Sequence, residues 1–97
     1  MVKEVTAKEA FDFTMKVRYE KLAMFMEANS KKINDAIDQN SIIGYFSANL
    51  GLDLPSNYLR PAIIDKLIEK YEMLGYLVSL DDSDITISWF TASQTDE

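Results

Sequence analysis

Residues 61–90, PAIIDKLIEKYEMLGYLVSLDDSDITISWF, decide the fold. Ile64, Leu67, Ile68, Tyr71 and Leu74 recur at helical spacing and so share one face. Pro61 suits the first turn of that helix, where its missing N–H costs nothing. Gly75 can take the left-handed conformation that commonly ends a helix, and Tyr76 can then pack back on Tyr71. From Tyr76 the period shortens from about 3.6 to 2, the mark of a strand. Residues 76–80 and 85–90 read as a hairpin around Asp81-Asp82-Ser83-Asp84. Ile85, Ile87 and Trp89 alternate with Thr86, Ser88 and Phe90, which turns one face inward.

Upstream of this stretch, residues 51–57 (GLDLPSN) form the main loop. Residues 42–48 (IIGYFSA) carry β-branched and aromatic side chains in a short run and read as a strand. Ile42, Phe46 and Leu50 also stand four apart, as on a helix, but Gly44 weakens that alternative. Before the polar stop at 38–41, no Gly or Pro interrupts the chain back to Thr6. Thr6-Ala7-Lys8-Glu9 matches a capping box, so a helix starts there and runs to about Gln39. At 100° per residue, Phe11, Met15, Leu22, Phe25, Met26, Ile33, Ala36 and Ile37 fall in one stripe, the expected core face.

Phe13, Val17 and Met24 do not fit that stripe. They cluster on the opposite side of the wheel, flanked by Ala10 and Ala28. The plain account is scatter of apolar residues on a surface. The sharper account is a self-association seam or partner surface. Length bears on the choice. A helix of about 34 residues spans about 50 Å, whereas a compact chain of this size has a radius of gyration near 12.5 Å. Either the chain breaks near Asn29-Ser30 or one helix overhangs and packs on another copy. Ser30 could cap a second helix, but Lys31-Lys32 would sit badly at its positive end, and a single helix is preferred.

At 97 residues the chain makes one domain over 1–97 with a modest core, and residues 91–97 read as a polar, flexible tail. Hydrophobic content of 47% and aromatic content of 11% argue against wholesale disorder. Sixteen acidic residues against ten basic ones, a net charge of -6, disfavour binding to a phosphate backbone. The absence of cysteine and histidine excludes a thiol nucleophile, a disulfide framework, a Cys/His zinc site and a histidine base. No apolar run reaches the ~20 residues of a membrane span, and the N-terminus has no apolar core of signal-peptide length. A soluble, cytoplasmic protein is expected.

Asp81, Asp82 and Asp84 are the densest carboxylates, but they lack the order of a calcium loop, and Asp and Ser are what a hairpin turn prefers. No metal and no cofactor are expected. Glu69 and Glu72 beside Lys66 and Lys70 are helix-surface pairs. No nucleophile elbow, Walker-type or dinucleotide fingerprint occurs, so the chain is read as non-enzymatic. Arg18 and Tyr19 on the first helix, with Tyr58 and Arg60 before the second, could hold a phosphorylated ligand by a charge-assisted fork and a stacked base. The simpler reading of Arg18 is a stem packed over apolar surface with its guanidinium snorkelling or paired with a Glu.

The T-A-K-E-A start (Thr6 to Ala10), the long helix ending in I-x-x-A-I (Ile33 to Ile37), L-G-Y-x-V (Leu74 to Val78) and I-T-I-S-W (Ile85 to Trp89) together resemble a group of small accessory proteins of tailed phages. The resemblance spans most of the chain and implies an α-β-α-β-β domain and the cytoplasm of an infected bacterium. It transfers no functional residue. The chain departs from the pattern in the longer LDLPSNYLRP segment before the last helix.

The expected fold is therefore α+β: a long N-terminal helix, a strand, a helix and a C-terminal β-hairpin, with a small antiparallel sheet and both helices on one of its faces. Two sheet edges and an open face favour a homo-oligomer or a partner. The leading functional expectation is a non-catalytic host-takeover or counter-defence protein that binds a host factor stoichiometrically, with Phe13, Val17 and Met24 at the interface. The alternative is an oligomeric sponge for a phosphorylated, cyclic nucleotide signal held by Arg18, Tyr19, Tyr58 and Arg60. Further alternatives are a virion or assembly component and a winged-helix-like DNA binder, the last disfavoured by its acidic hairpin tip.

Overall fold

The computed structural model describes residues 4–90; the tail expected at 91–97 lies outside them. The element order is α1 (Ala7–Ile42), β1 (Ser47–Gly51), α2 (Leu59–Met73), β2 (Leu77–Asp81) and β3 (Asp84–Ser88), the α+β arrangement read from the sequence. The three strands form one antiparallel sheet in the order β1-β3-β2, so the last strand is central.

α1 is one helix of 36 residues. Its start is the expected capping box: the Glu9 N–H donates to Thr6 Oγ1 at 3.1 Å, and the Thr6 N–H donates back to Glu9 Oε1 at 3.1 Å. Lys8 and Asp12 add an i,i+4 pair at 2.9 Å. The helix does not break at Asn29-Ser30, because both side chains are buried and used. The Asn29 amide donates to Asp53 O at 2.9 Å and accepts from Asp53 N at 2.7 Å, so it ties the loop after β1 to α1. Lys70 Nζ donates to Ser30 Oγ at 2.9 Å, and the Tyr71 hydroxyl donates to Asn34 Oδ1 at 2.7 Å, which joins α2 to α1.

Both helices end the same way. Past α2, Gly75 has φ +99, its N–H donates to Glu72 O at 3.0 Å, and Tyr76 N–H reaches Tyr71 O at 3.0 Å. This is the paired hydrogen bonding of a Schellman stop. The Tyr71 and Tyr76 rings meet edge-on at 5.9 Å, as the sequence suggested. Past α1, Gly44 has φ +94, its N–H donates to Ser41 O at 3.1 Å, and Tyr45 N–H reaches Asn40 O at 2.9 Å. The strand expected at 42–48 is therefore displaced. Ile42 is the last turn of α1, Gly44 is its stop, and β1 begins at Ser47.

The inward face of the sheet is set by period two. Ala48, Ile87 and Val78 stand in one row and Leu50, Ile85 and Leu80 in the next. Ile85 and Ile87 on the central strand are fully buried. The outward face carries Asn49, Ser79 and Thr86, with Asn49 donating to Thr86 Oγ1 at 2.7 Å. The hairpin turns in two residues, Asp82-Ser83, and Asp82 takes φ 57. α2 buries Leu59, Ile63, Leu67 and Tyr71, a strict four-residue repeat. The expected face is thus rotated. Ile63 lies at its centre, Ile64 and Ile68 at its rim, and Leu74 outside it, 63% exposed.

The core stripe of α1 is right from Leu22 onward, where Leu22, Phe25, Met26, Ile33 and Ile37 all join the core. It fails at Phe11, which is 65% exposed. The described chain measures 64 × 26 × 20 Å with a radius of gyration of 17.8 Å, well above the ~12.5 Å of a compact domain of this length. A helix of 36 residues is about 54 Å long, and the rest of the fold covers only part of it.

Candidate functional site

The residues singled out in the sequence divide between two places. Arg18 on α1 lays its guanidinium carbon 4.2 Å from the centroid of the Tyr58 ring, a cation–π contact. Tyr58 is presented there because the Asn57 side chain accepts the Leu59 N–H at 2.9 Å and starts α2 beside α1. Met15, Tyr19, Leu22 and Leu59 complete an open groove of about 220 Å³. Arg60 does not line it. Its guanidinium turns to the hairpin and meets Asp82 Oδ1 at 3.3 Å. The four proposed ligand residues thus come together as three, with Arg18 covering the aromatic face that a stacked base would need.

Phe13, Val17 and Met24 lie about 190° round α1 from the core stripe at 100° per residue, and Met24 borders a groove with Asp53, Leu54 and Pro55 of the loop after β1. Phe13 and Met24 are 67% and 68% exposed, and Val17 is half-buried. Every residue from 4 to 14 is exposed, so the first two turns of α1 project with Phe11 on one side and Phe13 on the other.

A second apolar surface was not anticipated. Ile42, Ile43, Tyr45 and Phe46 leave the C-terminus of α1 at the end of the domain opposite this projection, and all are at least half exposed. Phe90 follows β3 and meets Phe46 edge-on at 5.2 Å. Leu77 opens β2 in register with Ser88 and, across β3, with Ser47, at the same end of the sheet. Met73 and Leu74 close α2 there and are 81% and 63% exposed. The signal that would have revealed this pole is Gly44. Read as a helix stop like Gly75, it leaves Ile42 to Phe46 outside both helix and strand.

The electrostatics differ between the two ends. Residues 34–90 carry nine acidic side chains and three basic ones, while residues 4–33 carry five acidic and six basic. Both helices also present their carbonyl ends, the negative end of the helix dipole, at the pole. Two groups have pKa values moved by structural roles. Glu9 is held below the usual carboxylate range by the hydrogen bonds it accepts from Thr6. Tyr71 is pushed up by burial, partly opposed by its hydroxyl's bond to Ser30. Among the described residues no three Asp or Glu side chains group as metal ligands, and no helix is long and apolar enough to cross a membrane.

Comparison of the chain with protein-family models, curated proteins and solved structures found no match.

Proposed function

We propose that this chain is a non-catalytic accessory protein of a tailed phage that acts by stoichiometric binding of a host protein, with the apolar pole as the contact. The observation that carries the reading is the gathering of Ile43, Phe46, Phe90, Met73, Leu74 and Leu77 at one end of the domain, each more than half exposed. Large apolar side chains exposed together at one end of a small domain are the usual mark of an interaction surface. Aromatic and methionine side chains are the residue types that supply interface energy. The acidic body and the two helix C-termini around the patch select a partner whose own apolar contact is rimmed by Lys and Arg. The phage origin rests on the resemblance of the T-A-K-E-A, L-G-Y-x-V and I-T-I-S-W segments.

The test is a double substitution, Met73→Lys with Leu77→Lys. Lysine suits the last turn of α2 at Met73, and Leu77 is exposed at the start of the edge strand β2, so the fold is retained while the patch is charged against a basic partner. Tagged wild-type protein recovered from infected cells is expected to carry a host protein at fixed molar ratio, and the variant to lose it with its melting temperature within a few degrees. Equal recovery with both proteins, or no saturable partner with the wild type, overturns the reading.

A further inference from the structure

We propose that a second copy of this chain pairs antiparallel with the projecting part of α1, along the seam of Ala10, Phe13 and Val17. This goes beyond the binding reading, since it uses the opposite end of the molecule. Thr6, Ala10, Phe13 and Val17 follow one another at intervals of four, three and four residues, the spacing of a two-helix seam. None of the four belongs to the chain's own core: Thr6 and Ala10 are exposed, Phe13 is 67% exposed and Val17 is half-buried.

The seam is complementary to itself. In a two-fold contact, residue i meets j of the second copy and j meets i. With the axis between Phe11 and Asp12, each Phe13 falls opposite the small Ala10 of the other copy, and each Val17 opposite Thr6. Large side chains then fill the spaces left by small ones, as close packing requires. The same register brings Glu9 on the flank of each helix opposite Lys16 of the other, one attractive pair on each side of the axis. Lys16 makes no ion pair of its own among the described residues. Lys8 and Asp12, off the seam, already satisfy one another.

Charge also selects this arrangement over others. Residues 34–90 are strongly acidic, so contacts between two bodies are repulsive. The projecting helix has near-balanced charge. Antiparallel pairing through it places the two acidic bodies, and the two apolar poles, at opposite ends of the dimer.

Sedimentation or light scattering at about 100 µM, where a micromolar dimer is mostly associated, tests the proposal. The wild type is expected at twice the 11.1 kDa chain mass. Phe13→Asp is expected at the monomer mass, with helicity by circular dichroism retained; Phe13→Ser serves if the aspartate variant is insoluble. Lys16→Glu, which sets two like-charged pairs across the seam, is expected to weaken the dimer about tenfold. A monomeric wild type overturns the proposal. So does a dimer that Phe13→Asp and Lys16→Glu leave intact. The pole variant Met73→Lys/Leu77→Lys is expected to keep the dimer mass, so this proposal and the host-binding reading fail separately.

Discussion

The two halves of α1 are joined by continuous helix and differ in almost everything else. From Leu22 onward, one face of the helix lies against α2 and β1, with Ile33 at 0% exposure and the polar pair Asn29 and Ser30 buried beside it. Over residues 7–14 no side chain is even half-buried, yet the backbone remains helical. The difference separates two sources of helical order. In the second half, burial holds the helix. In the first, the helix is propagated from a nucleus already fixed by the core, and adding a residue to an existing helix costs little. The capping box at Thr6 and Glu9 and the Lys8–Asp12 pair then close its free end. A helix can thus extend beyond its domain and present apolar side chains on both sides.

The sharpest way to break the comparison is to make the same kind of truncation in each half. Ile33→Ala is expected to cost about 3 kcal/mol, the price of a cavity in a filled core. Phe11→Ala, which removes a larger side chain, should stay within about 0.5 kcal/mol for the monomer. Urea titration of both variants in the Phe13→Asp background measures the contrast without contribution from association.

Asn29→Ala is expected to cost about 2 kcal/mol, because it strips partners from both the N–H and the carbonyl of Asp53. Hydrogen exchange should show residues 52–54 opening first, while the exchange of residues 7–14 does not change.

Tyr71→Phe is the mildest of the three substitutions at buried positions, at about 1 kcal/mol near neutral pH for the lost bond to Asn34. It also has a pH signature. The hydroxyl's pKa is raised by burial in the folded state, so its stabilising contribution is complete below the unfolded value near 10 and is lost as pH rises through the folded value. The wild type should therefore lose stability at alkaline pH more steeply than Tyr71→Phe, measured as urea midpoints between about pH 8 and 11. Glu9 has the opposite sense. Its depressed pKa means that the cap's contribution is present above the ordinary carboxylate range and fades as pH falls through the folded value.

Signals carried by neighbouring residues were legible wherever one short segment satisfied its own backbone. The Thr6–Glu9 box, the Gly75 stop with Tyr76 on Tyr71, and the alternation of Ile85 and Ile87 each involve groups within five residues of one another. Gly44 obeys the same rule as Gly75, but β-branched and aromatic neighbours disguised it as strand interior, and β1 was placed too early. In α2 the apolar positions surround more than one face, so periodicity allowed Ile64 and Ile68 as readily as Ile63. Contact with Ile33 and the sheet decides among them.

The candidate surfaces divide in the same way. Phe13, Val17 and Met24 could be found on a helical wheel because they oppose the core stripe of their own helix. Arg18, Tyr19 and Tyr58 line one groove, while Arg60, two residues from Tyr58, is drawn away by Asp82 across the hairpin. The apolar pole joins residues from the ends of α1 and α2, from the start of β2 and from the segments that flank β1 and β3, and no single stretch announces it.

The sequence by itself determined the element order, the capped start of α1, the stop at Gly75, the pleat of the hairpin and the second apolar face of the first helix. These follow from backbone hydrogen bonding and side-chain period, which act over a few residues. Tertiary structure alone decided how much of α1 is covered, which face of α2 is buried, that Asn29 holds the loop after β1, and that two helix ends and a sheet end form one apolar pole. Those outcomes depend on where a 15-residue α2 and three five-residue strands stop along a 36-residue helix, and length mismatch between packed elements appears only when they are set side by side.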